Sequence, residues 1–147
     1  MIGELCLIDT DILSYILKKR EPVYQKACDY LNIHKKYIIS CITYYECFRG
    51  YKAVGAVKRL ETFQEFMNIS DILYLDKAIL EKASEIYGLL KKNGELTGEF
   101  DILIGATALV NSLTLVTNNE RHYEPLHKYF SLNLNNWTSN DFQRETS

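Results

Sequence analysis

The stretch Leu5-Cys6-Leu7-Ile8-Asp9-Thr10-Asp11 opens on a continuous apolar run and closes on three polar residues. An apolar run without alternation suits a short strand buried on both faces, and the polar residues suit the turn that leaves it. The same alternation continues along the chain. Asp11 is placed to cap a helix holding Ile12, Leu13, Tyr15, Ile16 and Leu17, which ends in Lys18-Lys19-Arg20, where positive charge complements the helix dipole. A second helix begins near Pro22 and runs to about Ile33. Tyr37-Ile38-Ile39 is a second strand, after which Thr43 is placed to cap a helix starting near Tyr44. Apolar residues at three- and four-residue spacing predict one amphipathic helix over 53–67. A third strand follows at 72–75, then a long helix capped by Asp76 that ends at Asn93-Gly94. A helix over 102–111, a strand at Thr114-Leu115-Val116-Thr117 and an edge strand at Leu132-Asn133-Leu134 complete the pass, with the single tryptophan, Trp137, in the tail.

Short apolar strands alternating with helices predict an α/β fold: a three-layer α/β/α sandwich around a central, mostly parallel sheet. With 147 residues, 47% of them apolar and 24% charged, one domain over 1–147 is expected, and disordered or collagen-like classes are excluded. The formal charge of −2 disfavours a strongly basic nucleic-acid-binding domain, so any contact with nucleic acid needs a local patch. Glu4 stands where a secretion signal carries Lys or Arg, and the nine-residue stretch 102–110 is about half of the roughly 18 residues a spanning helix needs. A cytoplasmic location is therefore expected, with no membrane association and with Cys6, Cys28, Cys41 and Cys47 as reduced thiols.

In parallel sheets ligands bind beyond the carboxyl ends of the strands, so the polar residues just after each strand carry the functional reading. These are Asp9 and Asp11 after the first strand, Glu46 on the helix after the second, and Thr117, Asn118 and Asn119 after the fourth. Asp101 sits between Phe100 and the apolar run Ile102-Leu103-Ile104, and Glu46 is surrounded by Tyr44, Tyr45, Cys47 and Phe48. Taken singly, Asp101 reads equally as a helix cap and Asp9 as a turn residue. If Asp9, Glu46 and Asp101 converge, their repulsion in a partly dry site calls for a cation. Oxygen ligands without His or Cys at ligand spacing favour Mg²⁺ or Mn²⁺, and an acidic pocket holding a hard divalent ion suggests phosphodiester hydrolysis.

Four segments, in order, resemble the successive motifs of PIN-domain ribonucleases, and among them of VapC-type toxins. They are Leu7-Ile8-Asp9-Thr10-Asp11, Glu46 within Thr43-Tyr44-Tyr45-Glu46-Cys47-Phe48-Arg49-Gly50, Gly98-Glu99-Phe100-Asp101-Ile102 with the apolar helix that follows, and Leu115-Val116-Thr117-Asn118-Asn119. The likeness extends to Leu134-Asn135-Asn136-Trp137. It implies that Asp9, Glu46 and Asp101 are metal ligands in an RNA-cleaving site, and that Thr117 and Asn119 support it. It also implies in-line attack on the phosphodiester without a covalent intermediate. Many relatives carry a fourth acid near the last strand, and here Asn119 and His122 occupy that region. Further implications are a homodimer and a cognate antitoxin covering the groove, with Arg49 and Arg121 as candidate contacts to RNA or antitoxin. Asp11 is expected as a cap and Glu99 as a solvated residue.

Three other readings compete. Asp9-Thr10-Asp11 also resembles the Asp-x-Asp of haloacid-dehalogenase-like phosphatases, but Leu13 stands where that family has Thr or Val, and no later acidic pair follows a strand. A receiver-like domain needs a phosphoacceptor after the middle strand, where Asp76 is better explained as a cap. A PIN-like module that binds without cutting is the alternative the missing fourth acid leaves.

Overall fold

Strand β1 (Cys6–Ile8) and strand β4 (Thr114–Val116) are buried at every position and pair in parallel, with Leu7 opposite Leu115. The computed structural model describes residues 3–139; Met1, Ile2 and 140–147, including both ends of the expected 1–147 domain, lie outside the described residues. Strand β5 (Leu134–Asn135) adds to the far side of β4, and strand β2 (Tyr37–Ser40) pairs with strand β3 (Ser70–Leu73). All three ladders are parallel, as the continuous apolar runs predict. β1 and β2 lie side by side without a shared ladder. At this seam the Tyr30 hydroxyl accepts from the Cys6 backbone N–H at 3.0 Å.

Alternate residues of the strands face opposite cores. Cys6, Ile8 and Val116 pack against helices α1 (Thr10–Leu17), α2 (Val23–His34), α3 (Cys41–Ala53) and α4 (Val57–Met67), together with Tyr37, Ile39 and Trp137. Leu7 and Leu115 pack against α5 (Lys77–Lys92), α6 (Glu99–Val110) and α7 (Glu120–Phe130). The three-layer sandwich is thus built on the two-residue period of the strands.

Several local expectations are corrected. Asp9, in extended conformation, caps α1, because the chain turns into the helix directly from β1; Asp11 lies inside the first turn. Helix α3 starts at Cys41 with Ser40 as its cap, the Ser40 hydroxyl accepting from Ile42 N–H at 3.0 Å, while Thr43 is buried within the helix. The helix predicted over 53–67 begins only at Val57: Ala53 is the last residue of α3, and Gly55, whose φ of +64° is left-handed, lies in the break between α3 and α4. α6 starts at Glu99 rather than 102, β3 lies at Ser70–Leu73 rather than 72–75, and β5 at Leu134–Asn135 rather than 132–134. Helix α7 was not foreseen: its polar face and internal Pro125 mask its period. Asp76 does cap α5, accepting from Ile79 N–H at 2.8 Å.

Candidate active site

The carboxyl ends of β1 and β4 meet at Asp9, which is 4% exposed. Its position as the helix cap lets Oδ1 accept from Thr10 N–H at 2.9 Å, and Oδ2 accepts from the Thr117 hydroxyl at 2.8 Å. Thr117 follows β4 directly, and its oxygen also accepts from Asn119 N–H at 2.9 Å. Asn119 therefore supports the site through its main chain, while its side chain is exposed and makes no cap bond to α7. Asp11 accepts from Ile12 N–H at 2.7 Å and from Asn118 N–H at 3.0 Å, so it stitches α1 to the loop after β4.

Asp101 comes from the opposite layer, on the first turn of α6. Its Oδ1 accepts from the Tyr123 hydroxyl at 3.2 Å, and its Oδ2 lies 3.1 Å from His122 Nδ1. Both partners stand on the first turn of α7, which sequence reading missed. His122 occupies the region where a fourth acid was sought, and it meets an acid there instead. Tyr123 is fully buried, and its hydroxyl serves Asp101. Its adjacency to His122 was the available signal, but contacts between helices are not written in spacing.

Glu46 joins less directly. Its Oε1 accepts from the Thr10 hydroxyl at 2.9 Å, and that hydroxyl shares a 3.1 Å hydrogen bond with Thr43 Oγ1. Thr10, between Asp9 and Asp11, thus links Glu46 to the end of β1. Glu99 is exposed and lines an apolar cavity of about 410 Å³ between α5 and α6, with Leu80, Tyr87, Ile102 and Leu103. Arg49 lies over the rings of Tyr45 and Phe100, and Arg121 is exposed on the first turn of α7.

The electrostatics of the site follow from burial and like charge. Burial pushes the Asp9 carboxyl up to about 7, the negative charge of Asp11 adds to this, and the Thr117 and Thr10 donors partly offset it. Asp101 contributes a smaller rise. Burial also raises Asp11, with Asp101 acting in the same direction. The Tyr123 phenol is held well above its ordinary range by burial and by the charges of Asp9 and Asp101, so it remains a proton donor. Among the described residues no Lys or Arg is ion-paired with Asp9, Asp11, Glu46 or Asp101, and no three His, Cys, Asp or Glu side chains stand close enough together to hold a metal ion as they are placed.

Thr117→Val should retain the shape of this side chain while removing both of its hydrogen bonds. Stability at pH 8 should fall by about 1–3 kcal/mol in urea unfolding. The Asp9 titration, followed by NMR, should move still higher, since a donor to the charged form has gone. An unchanged titration would show that Thr117 does not orient Asp9.

The sequence profile of the PIN domain matches residues 6–125. The chain belongs to the PIN-domain family. Relatives of this PIN domain include ribonuclease VapC1 of Methanocaldococcus jannaschii, 33% identical over 130 residues that cover 87% of this chain and 85% of that protein. The tRNA(fMet)-specific endonuclease VapC of Shigella flexneri is 28% identical over 120 residues, covering 80% of this chain and 89% of its own length. The fold of this PIN domain is shared with VapBC2 from Rickettsia felis, crystallised with a DNA fragment from its promoter. There the TM-score is 0.77 at 23% identity, over 89% of this chain and 97% of that one.

Proposed function

We propose that this PIN domain is a VapC-type endoribonuclease toxin that hydrolyses RNA phosphodiester bonds with Mg²⁺ or Mn²⁺. The observation that carries the reading is the buried Asp9 carboxylate, flanked by Asp11 and Asp101 with no Lys or Arg to neutralise them. Burial and the neighbouring negative charge disfavour the charged form of Asp9, and a bound cation would favour it. The donor set is all oxygen, which fits a hard divalent ion. Asp9, Asp101 and Glu46 would hold it; when bound, it supplies charge neutralisation and water activation at a phosphodiester.

The chain's own residues prepare that site. Thr117 and Thr10 orient Asp9, Tyr123 and His122 orient Asp101, and the Thr10 hydroxyl holds Glu46. With both partners fixed, each carboxylate spends its hydrogen bonds on the protein at defined oxygens and is preorganised for its ligand. Arg49, three residues after Glu46, and Arg121, next to His122, are the candidate cations for RNA or for an acidic antitoxin side chain. A cognate antitoxin and a homodimer belong to the same proposal, as does a cytoplasmic location. Among the described residues no helix is long and apolar enough to cross a membrane.

Purified, antitoxin-free protein should cut total RNA with Mg²⁺ or Mn²⁺ and stop when excess chelator is added. Cleavage that persists in chelator would remove the metal from the mechanism. A folded protein that neither cuts RNA nor binds Mn²⁺ by calorimetry would instead be a binding module.

A further inference from the structure

On α3, Tyr45 precedes Glu46, and on α6, Phe100 precedes Asp101. The two rings meet edge to face with centroids 6.1 Å apart, so they span the gap between the helices that carry two of the acids. Arg49 stands one turn beyond Tyr45 on the same helical face. Its guanidinium lies 5.1 Å from the Tyr45 centroid and 5.3 Å from that of Phe100. No carboxylate among the described residues pairs with it. A clasp with only a structural role would bury its parts, yet Tyr45 is 52% exposed and Arg49 is exposed too. Of the exposed large apolar side chains among the described residues, Tyr45 alone is next in sequence to one of the three acids.

We infer that Tyr45 and Arg49 form a platform for one unpaired nucleotide beside the scissile bond. The open part of the Tyr45 ring stacks on the base, and the ring-held guanidinium meets a backbone phosphate. Stacking asks for a base that can leave its helix, so the platform selects single-stranded or looped RNA over duplex. Arg49 is already confined by two rings, so little further ordering is needed for it to take a phosphate. A free guanidinium beside carboxylates also gives an anionic backbone a foothold on a protein of net charge −2. Tyr45 and Arg49 are positioning residues in this scheme and take no part in bond breaking.

This inference rests on the ribonuclease reading, and the test separates the two. The probes are a fluorescein-labelled 12-nucleotide single-stranded RNA of mixed sequence and the blunt duplex of that sequence. Binding is read by anisotropy in the non-cutting Asp9→Asn background. Adding Tyr45→Ala should weaken single-strand binding about tenfold or more, and Tyr45→Phe should restore it, since a phenyl face stacks as well. Duplex binding should be unchanged by either substitution. Arg49→Ala should weaken single-strand binding and reduce its salt dependence by about one phosphate contact. RNA cleavage by Tyr45→Ala in the otherwise native chain should show a raised KM. If the unsubstituted protein cuts RNA while Tyr45→Ala binds and cuts equally well, the platform is wrong and the nuclease stands. If the parent neither cuts nor binds RNA, both fail.

Discussion

On the proposed mechanism Asp9→Asn is expected to lower RNA cleavage by roughly 10³-fold or more, since it removes a carboxylate that would hold a cation able to lower the barrier by several kcal/mol. The same change should raise the Tm of the metal-free protein at pH 8. The folded state holds the Asp9 proton up to about pH 7, whereas an ordinary Asp releases it near 3.8. Between these values the folded state binds more protons than the unfolded chain, so stability falls as pH rises through the window and the cost is complete above about pH 7. Three pH units correspond to about 4 kcal/mol at most. The variant recovers less, because an amide offers one acceptor where Thr10 N–H and the Thr117 hydroxyl now donate to two. At pH 5 the gain should shrink to less than half. Mn²⁺ should raise the Tm of the native protein and leave that of the variant nearly unchanged. Asp101→Asn should lose cleavage to a similar degree with a smaller change in Tm, because Asp101 is the less buried of the two. Thermal scans at the two pH values, alongside RNA cleavage, check the set. A fall in Tm for Asp9→Asn at pH 8 would mean that the buried charge is compensated in some other way.

Gly105→Val should cost roughly 3 kcal/mol, a fall in Tm of the order of 10 °C. In an exposed helix, replacing Gly would help, because glycine's backbone freedom opposes helix formation. Here α6 and α7 pack through that position. A Cβ at Gly105 would overlap Leu126 Cδ2 and lie 3.8 Å from Leu132 Cδ2, and both leucines are buried. The close approach matters for chemistry as well as stability, since it sets His122 and Tyr123 of α7 against Asp101 of α6. Residual cleavage should therefore drop further than the unfolded fraction alone accounts for. The double substitution with Leu126→Ala should recover part of both losses, as neighbouring sites couple. Urea unfolding of the single and double variants decides it, and an undiminished Tm for Gly105→Val would show that Leu126 yields freely.

The layer order was readable because it rests on strong local signals. Continuous apolar runs such as Leu5-Cys6-Leu7-Ile8 have few alternatives to a strand buried on both faces, and Asp76 and Asn93-Gly94 bound α5 in the way helices usually begin and end. Boundaries failed where caps compete. Asp9 and Asp11 both fit a helix start, and only the geometry of the exit from β1 selects Asp9. Gly98 caps α6 without a side chain and so leaves no mark. Apolar spacing reads through residues 54–56, and the left-handed φ at Gly55 breaks the helix there. At the site, Asp9 and Thr117 could be read because each follows a strand. Tyr123 and His122 could not, because their role depends on how two helices pack, which no spacing encodes.

Thr10 comes early, but the other groups that orient Asp9 and Asp101 come late in the chain. A ribosome that has released Asp9, Glu46 and Asp101 has still to make Thr117, His122 and Tyr123, and until β4 and α7 dock, neither Asp9 nor Asp101 has its hydroxyl partner. Synthesis from the amino end therefore delivers the three carboxylates first and the hydroxyl partners of Asp9 and Asp101 last. A copy that stops before β4 and α7 carries the acids without the hydroxyls that align two of them.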